Sequence, residues 1–387
     1  MKDKVIIIGG GIIGCSTAYY LAKEGKQVVL IEKKDICAET SSSCDQAILL
    51  QTKQPGPLLE YANESAYIYK NLETELNKDI EYKNEGGMIV FENEEHKTVM
   101  TDLVNRQREF GLDVGLISSE EAQKKQPGIS KHILGSTWSK QDAKVNSYKL
   151  TFAFAQAAVE YGAKIITDES VKEIIEKNKK VKGVITNKDT YYADKVVVAA
   201  GVWSSELLKK FNINLPIKPR KGHILVTEKL PPIMKSNFLS ASYILAKGGN
   251  NNSNTREQEL GVGLVMGQTK SGNVLIGGSR EFKGYDTQIS TEIIQLISQE
   301  ALKVLPFFKN IDIIRTFTGF RPYTPDKLPI MGEINELKGL YINSGHEGDG
   351  IALAPFSGKY LAKTILNQPI SLDLSPLSAN RFTNVSV

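Results

Sequence analysis

The sequence predicts an α/β protein in which a parallel, doubly wound, nucleotide-binding sheet is interleaved with an α+β unit built on a mainly antiparallel sheet. Three observations carry this. Residues 4–32 read as strand, glycine turn, helix and strand, an order that forces a right-handed crossover and a parallel pair. Buried apolar runs return much later, VVVAA at 196–200 and LYI at 340–342. Between them, residues 216–284 pattern mainly as strands, as in HILVTE and NVLIGG. The chain therefore divides into a discontinuous nucleotide-binding unit (1–82, 142–218 and 318–387) and a second unit (83–141 and 219–317).

Each element has a local reason. KVIII at 4–8 is β-branched and continuous rather than alternating, as suits a strand buried on both faces. The helix from about 11 to 24 stops at Gly25, a residue suited to a left-handed cap. QVVLIE at 27–32 is the second strand. Residues 57–77 place Leu58, Ala62, Ala66, Tyr69, Leu72 and Leu76 on one helical face. MIVF at 88–91 is a strand, and a helix over 94–110 ends at Gly111. Ser118 and Glu121 form a capping box for a short helix that stops before Pro127. Asn146 caps a helix through Tyr161 with Leu150, Phe154, Ala158 and Tyr161 on its core face. Runs at 171–175, 181–187 and 190–192, separated by polar turns, read as an antiparallel meander. The polar tract at 247–259, KGGNNNSNTREQE, lacks apolar periodicity and is expected as an exposed, mobile loop. Helices at 290–305 and 351–366 complete the list, and there is no internal repeat.

Composition narrows the class. At about 150 residues per domain, 387 residues make two or three structural units. Hydrophobic residues at 41% and charged residues at 24% suit a globular chain rather than a disordered one. Forty-eight Lys and Arg against 44 Asp and Glu leave +4, with no basic stripe of the kind a nucleic-acid reader concentrates. Three cysteines, Cys15, Cys37 and Cys44, make no disulfide framework and no CxxC pair, so a reducing cytoplasm is expected. Residues 5–22 lack charge and imitate a signal peptide or membrane helix. Gly9, Gly10, Gly11 and Gly14 inside that run, and the lack of an A-x-A cleavage site, favour a turn.

Gly9-Gly10-Gly11-Ile12-Ile13-Gly14 matches G-x-G-x-x-G. The first glycine allows the tight turn, the second admits a pyrophosphate, and the third packs helix on strand. The helix start offers free N–H groups and about half a positive charge. Glu32 closes the second strand, where a carboxylate accepts both hydrogens of a ribose diol and repels a 2′-phosphate. The competing reading is a glycine turn that packs a helix and holds nothing. After Glu32 the chain departs into Thr40-Ser41-Ser42-Ser43 and later returns with VVVAAG and NSGHEGDGI. Segments spread over the whole length suit a long dinucleotide and favour FAD over NAD. No metal-ligand cluster and no Ser/His/Asp arrangement is present.

At this point the residues resemble a family, the D-amino-acid-oxidase-like FAD-dependent amine oxidoreductases, which include glycine oxidase, sarcosine oxidase and the catalytic subunits of proline and hydroxyproline dehydrogenases. The markers are VIIIGGGIIGCSTAYYLAKEGKQVVLIEK, the TSS loop, VVVAAGVWS, PRKGHILVTE, GFRPYTPDKLPIMG and GHEGDGIALAPFSGK. CDQAILLQTKQPG and GGSREFKGYD look closest to dehydrogenase subunits, including the hydrogen-cyanide-synthase-like branch. The resemblance implies a Rossmann-like, glutathione-reductase-type FAD-binding domain. It assigns Gly9, Gly11, Ile13 and Gly14 to the pyrophosphate, Glu32 to the adenosine ribose and Lys33 to the adenosine. Ser41 and Ser42 take the pyrophosphate or ribityl chain, and Asp45 and Gln46 the isoalloxazine. Val171 meets adenine through its backbone, and Ala200, Gly201 and Trp203 line the ribityl path. Gly345, His346, Gly348, Gly350 and Ile351 close over the pyrimidine end.

On the substrate side the resemblance makes Arg321, in GFRPYTPD, the carboxylate clamp. Its planar fork makes two charge-assisted bonds. The alternative is a structural arginine in a surface turn. Glycine oxidase has a second arginine in its last motif, and this chain has GHEGDG there, with Asp349 nearby. Tyr243 is a second polar contact or a core tyrosine. Arg280 faces the pocket or joins an ion pair, and His346 donates to the flavin or is structural. Cys44 reads as a small packed side chain, and no local motif supports Lys283 as an oxygen-assisting lysine.

The implied reaction is hydride transfer from the α carbon of a small amino acid to flavin N5, giving an imine. A secondary amine of the proline, D-hydroxyproline or sarcosine type is favoured. Electrons would leave through a flavin or iron–sulfur partner subunit, and the chain is expected to be an oligomer with no membrane span and no nucleic-acid partner. Two alternatives stay open: a stand-alone glycine or sarcosine oxidase that makes peroxide, and a flavin-holding scaffold subunit without amine turnover.

Overall fold

A computed structural model describes residues 4–248 and 256–382. Two sheets organise it. The first has six strands in the order Ile330–Glu333, Leu340–Ser344, Lys195–Val198, β1 (Lys4–Ile8), β2 (Gln27–Ile31) and Lys164–Ile166. Its pairs are parallel except the one between Ile330–Glu333 and Leu340–Ser344. The apolar runs explain why it is buried on both faces. Val5 and Ile7 of β1 join one core, and Ile6 and Ile8 join the other. Val28 and Leu30 of β2 divide from Val29 and Ile31 in the same way. Side chains of a strand alternate in direction, so a run with no polar residue needs a cover on each side.

One cover is helical: α1 (Ile12–Lys23) with the helices Pro57–Leu76, Ser147–Glu160 and Gly350–Ile365. The close approach of α1 to the last helix rests on small residues. Ser16 Oγ donates to Ala354 O at 2.8 Å, and a Cβ on Gly358 would stand 2.1 Å from that hydroxyl. The other cover includes the antiparallel meander Val171–Lys177, Lys180–Thr186 and Thr190–Tyr192.

The second sheet has eight strands: Ile313–Tyr323, Lys218–Lys229, Asn273–Gly277, Val265–Gln268, Asn237–Ser240, Gly87–Phe91, Gly135–Ser139 and Val114–Ser118. Only Asn237–Ser240 with Gly87–Phe91 is parallel. The long ladder between Ile313–Tyr323 and Lys218–Lys229 sets Arg321 opposite Arg220. The expected unit boundaries at 218/219 and 317/318 fall within these two strands.

The caps behave as their chemistry requires. Gly25 closes α1 with φ +77°, the Ser118–Glu121 capping box forms, and the Asn146 side chain accepts from Lys149 N–H at 3.1 Å. Some expectations need correcting. Tyr161 lies past the end of its helix and is half exposed, because the chain turns at Gly162 with φ +90°. Within the expected strand-rich segment, Ala241–Gly248 is a helix, since ASYILAKG has alanine and leucine where a strand would want β-branching. Of the tract expected as a loop at 247–259, residues 249–255 lie outside the described residues, and Arg256–Glu259 is a helical turn tied by Arg256 to Glu259 and Glu292.

Candidate functional site

The glycine turn is built by backbone crowding. Gly9 sits at φ +114°, and a Cβ there would stand 2.5 Å from Ala199 O. Gly14 is tighter still, its Cβ falling 2.0 Å from Gly9 O, so β1, α1 and the end of Lys195–Val198 touch through bare backbone. The first turn of α1 holds no acidic residue and no side-chain cap on Gly11. Ser41 Oγ accepts the Ile12 N–H at 2.9 Å. Glu32 is buried, and its two oxygens accept Gly10 N–H at 2.7 Å and Lys34 N–H at 2.8 Å. Those bonds aim a fixed negative group beside the turn while leaving further lone pairs on each oxygen.

A cavity runs from here and, with its open mouth, holds about 1380 Å³ of empty space. Gly9, Gly11, Ile13, Glu32, Lys33, Ser41, Val171, Ala200, Gly201, Trp203, His346 and Gly350 line it. Lys33 Nζ stands 3.5 Å over the Trp203 ring, which stacks on Tyr285 with centroids 6.0 Å apart. The remaining expected residues are not part of the lining. Gly14 packs α1 against the turn, and Ser42 Oγ donates to Glu39 O at 2.7 Å. Asp45 and Gln46, the latter at φ +65°, lead into Ala47–Ile48. Gly345 turns at φ +78°. Ile351 sits buried in the first turn of the last helix, and Gly348 lies against Arg321, its Cβ position 3.4 Å from Nε.

The start of the Gly350–Ile365 helix also faces the cavity, and two acidic residues precede it, Glu347 and Asp349. Left alone they would cancel the positive helix end. Both are answered by buried cations: Lys53 Nζ lies 2.6 Å from Asp349 Oδ1, and Arg220 pairs with Glu347. The helix end therefore keeps its field. Arg220, Glu347, Lys53 and Tyr285 all lie in motifs visible in the sequence, but those motifs show neither the two ion pairs nor the Trp203–Tyr285 stack. No local signal joins Lys53 to Asp349, which are separated by 296 positions.

His346 is buried, with Nε2 2.9 Å from Ser357 Oγ. Burial pushes its pKa down to about 3, Asp349 only partly opposing. The ring is neutral and brings no charge to the cavity. Burial, and then Lys221, likewise push His223 down to about 4. As pH falls through about 6.5, the unfolded chain takes up these protons before the folded one does. Stability is thus complete above that pH and lost progressively toward pH 3, by on the order of 4 kcal/mol for His346. His346→Asn is expected to flatten the dependence of Tm on pH below neutrality. A slope identical to the parent's between pH about 4.5 and 7 would show that His346 is not the group involved.

Arg321 lies on the Ile313–Tyr323 strand, not in a surface turn, with Nη1 donating to Ser279 O at 2.8 Å. Tyr243 occupies the first turn of Ala241–Gly248, and the Arg280 guanidinium covers its ring at 3.9 Å. Asp45 is raised by burial, with Ala47 N–H, Arg321 and Arg280 pulling it back. Burial, then Asp45, raise Cys44 to about 12, which keeps it a thiol. Lys283 is exposed and lines none of this cavity. The arrangement offers two anion-attracting helix starts, a ribose-sized acceptor and a cationic end, and a dinucleotide such as FAD fits that donor set.

Comparison with known proteins agrees. The family described as FAD dependent oxidoreductase matches residues 4–364. The chain is 26% identical to hydrogen cyanide synthase subunit HcnC of Pseudomonas protegens, over 99% of this chain and 97% of that protein. Among solved structures it is similar to glycine oxidase from Bacillus cereus, with TM-score 0.85, 30% identity and 97% of each chain covered. It is also similar to L-proline dehydrogenase from P. horikoshii, with TM-score 0.89 and 27% identity over 99% of this chain and 98% of that one.

Proposed function

The chain belongs to the FAD-dependent oxidoreductase family, and on that premise we propose that it dehydrogenates a small secondary amino acid of the proline, D-hydroxyproline or sarcosine type. The observation that carries this reading is Arg321, tied to Ser279 O and set beside Gly348. FAD, when bound, accepts a hydride from the carbon next to the amine, and the product is an imine.

In this reading the N–H groups around Gly9, Gly11 and Ile13 hold the pyrophosphate, with Gly14 keeping the helix close. Glu32 would take the ribose, Lys33 would lie beside the adenosine, and Val171 would meet adenine. Ser41 and Ser42 would take the pyrophosphate or ribityl chain, and Ala200, Gly201 and Trp203 would line the ribityl path. Asp45, Gln46, Gly345, His346, Gly348, Gly350 and Ile351 enclose the isoalloxazine. Arg321 grips the substrate carboxylate and so turns the Cα–H toward its acceptor. Neutralising that carboxylate also lowers the ammonium pKa, and a free amine is the form that gives up electrons. No side-chain base is required; orientation and electrostatics supply the rate. The acceptor in this reading would be a partner flavin or iron–sulfur subunit rather than oxygen.

The test is anaerobic bleaching of the flavin band by a panel of amino acids, followed by a peroxide assay in air. Secondary amines are expected to bleach faster than glycine, with slow peroxide release. A flavin that no amino acid reduces would overturn the reading, and fast peroxide production by the chain alone would overturn its dehydrogenase part.

A further inference from the structure

Resting on Arg321 as the carboxylate clamp, we propose that Arg280 is a second anion clamp in the same site, and that the substrate is an amino acid carrying two carboxylates, such as an N-carboxyalkyl amino acid.

Arg280 follows the Asn273–Gly277 strand and is only 7% exposed. Its Nη1 donates to Gly278 O at 3.3 Å, but Nε and Nη2 are buried and have no hydrogen-bond partner among the described residues. Those two atoms share one edge of the planar group, the edge that meets a carboxylate with two parallel bonds. The Tyr243 ring under the guanidinium holds its plane. A buried cation with an open fork is costly and persists where an anion completes it.

The neighbouring charges do not supply that anion. Arg220 pairs with Glu347. Asp45 accepts Ala47 N–H at 3.2 Å and makes no hydrogen bond to Arg280; burial raises it, with Ala47 N–H, Arg321 and Arg280 pulling it back. Arg220 and Arg321 bear on Arg280 as like charges. Glu281, the next residue, sets its Oε2 3.7 Å from His223 Nδ1 and does not figure among the charges acting on Arg280. Among the described residues, three guanidinium groups thus share Glu347 and Asp45, and one substrate carboxylate on Arg321 still leaves Arg280 open. The two clamps are also neighbours: Arg321 donates to the carbonyl of Ser279, the residue just before Arg280. That spacing suits a small diacid rather than a long one.

The test uses the FAD-loaded protein. Iminodiacetate and N-carboxymethylalanine are compared with sarcosine and proline in anaerobic bleaching, and malonate and succinate are compared with acetate as ligands that perturb the flavin band. Dicarboxylates are expected to bind about tenfold or more tighter than monocarboxylates, the equivalent of one good charge-assisted contact. In Arg280→Met that ratio should collapse toward one, through KM or Kd rather than kcat, with Arg280→Lys between the two. Parent protein that does not discriminate malonate from acetate overturns the proposal. So does an Arg280→Met protein that keeps the ratio, or one that loses both ligand classes equally, which would mark a role toward the flavin or the fold. If amines fail to reduce the flavin but dicarboxylates still bind preferentially, the amine reading and the amino-acid substrate fall together, and only the second clamp stands.

Discussion

Arg321→Met is expected to leave the protein yellow and to remove most of its reduction by amino acids. Two charge-assisted bonds to a carboxylate contribute about 3–6 kcal/mol together, so kcat/KM should fall about 10²- to 10⁴-fold. Arg321→Lys keeps the charge but loses the flat fork, and its loss should be smaller. A second variant reaches the same group without deleting it. A Cβ on Gly222 would stand 2.4 Å from Arg321 Nη1, so Gly222→Ala must push the guanidinium off Ser279 O. Both variants should lower the anaerobic reduction rate at subsaturating substrate while FAD content stays near one per chain. If the chain were a flavin-holding scaffold without amine turnover, neither change would alter reduction by amines in the parent or its complex, and that outcome would end the clamp assignment.

What was legible beforehand follows from range. The strand–turn–helix–strand unit, its glycines and Glu32 lie within thirty-two residues, so their spacing already contains their geometry. Gly25, Asn146 and the Ser118–Glu121 box were equally readable, because caps are local hydrogen-bond problems. Ile313–Tyr323 was not. IIRTFTGFRPY mixes arginine, threonine, glycine and proline, and it becomes a strand because Lys218–Lys229 pairs with it along its length. The site shows the same division. Arg321 stood out through its motif, yet nothing nearby showed that it would bond Ser279 or that Arg280 would keep an edge unpaired. Charge pairs such as Arg220–Glu347 join segments 127 positions apart, and only the fold brings them together.

The glycine turn sets the other large effect, because Gly14 has nowhere to place a side chain. In Gly14→Ala the new methyl would meet Gly9 O at 2.0 Å, and that atom belongs to a residue at φ +114° whose N–H donates to Ile31 O at 2.9 Å. The carbonyl cannot yield, so α1 must lift. Its far side is closed as well, since Ser16 donates to Ala354 O and faces Gly358 at less than a side chain's width. Overpacking of this kind costs about 1–3 kcal/mol or more. Lifting α1 would also withdraw the N–H groups that the proposed function assigns to the pyrophosphate. Gly14→Ala should therefore be recovered with little FAD, a lower Tm and a weakened response to added FAD. Gly25→Ala is the matched control: φ +77° strains an alanine by about 1 kcal/mol, but among the described residues no atom beyond its chain neighbours lies within 4 Å of the added carbon. It should lose some stability and keep its flavin. A Gly14→Ala protein with full FAD content and the parent's Tm would mean that α1 moves freely against β1, and the close helix–strand contact would then have no part in holding the cofactor.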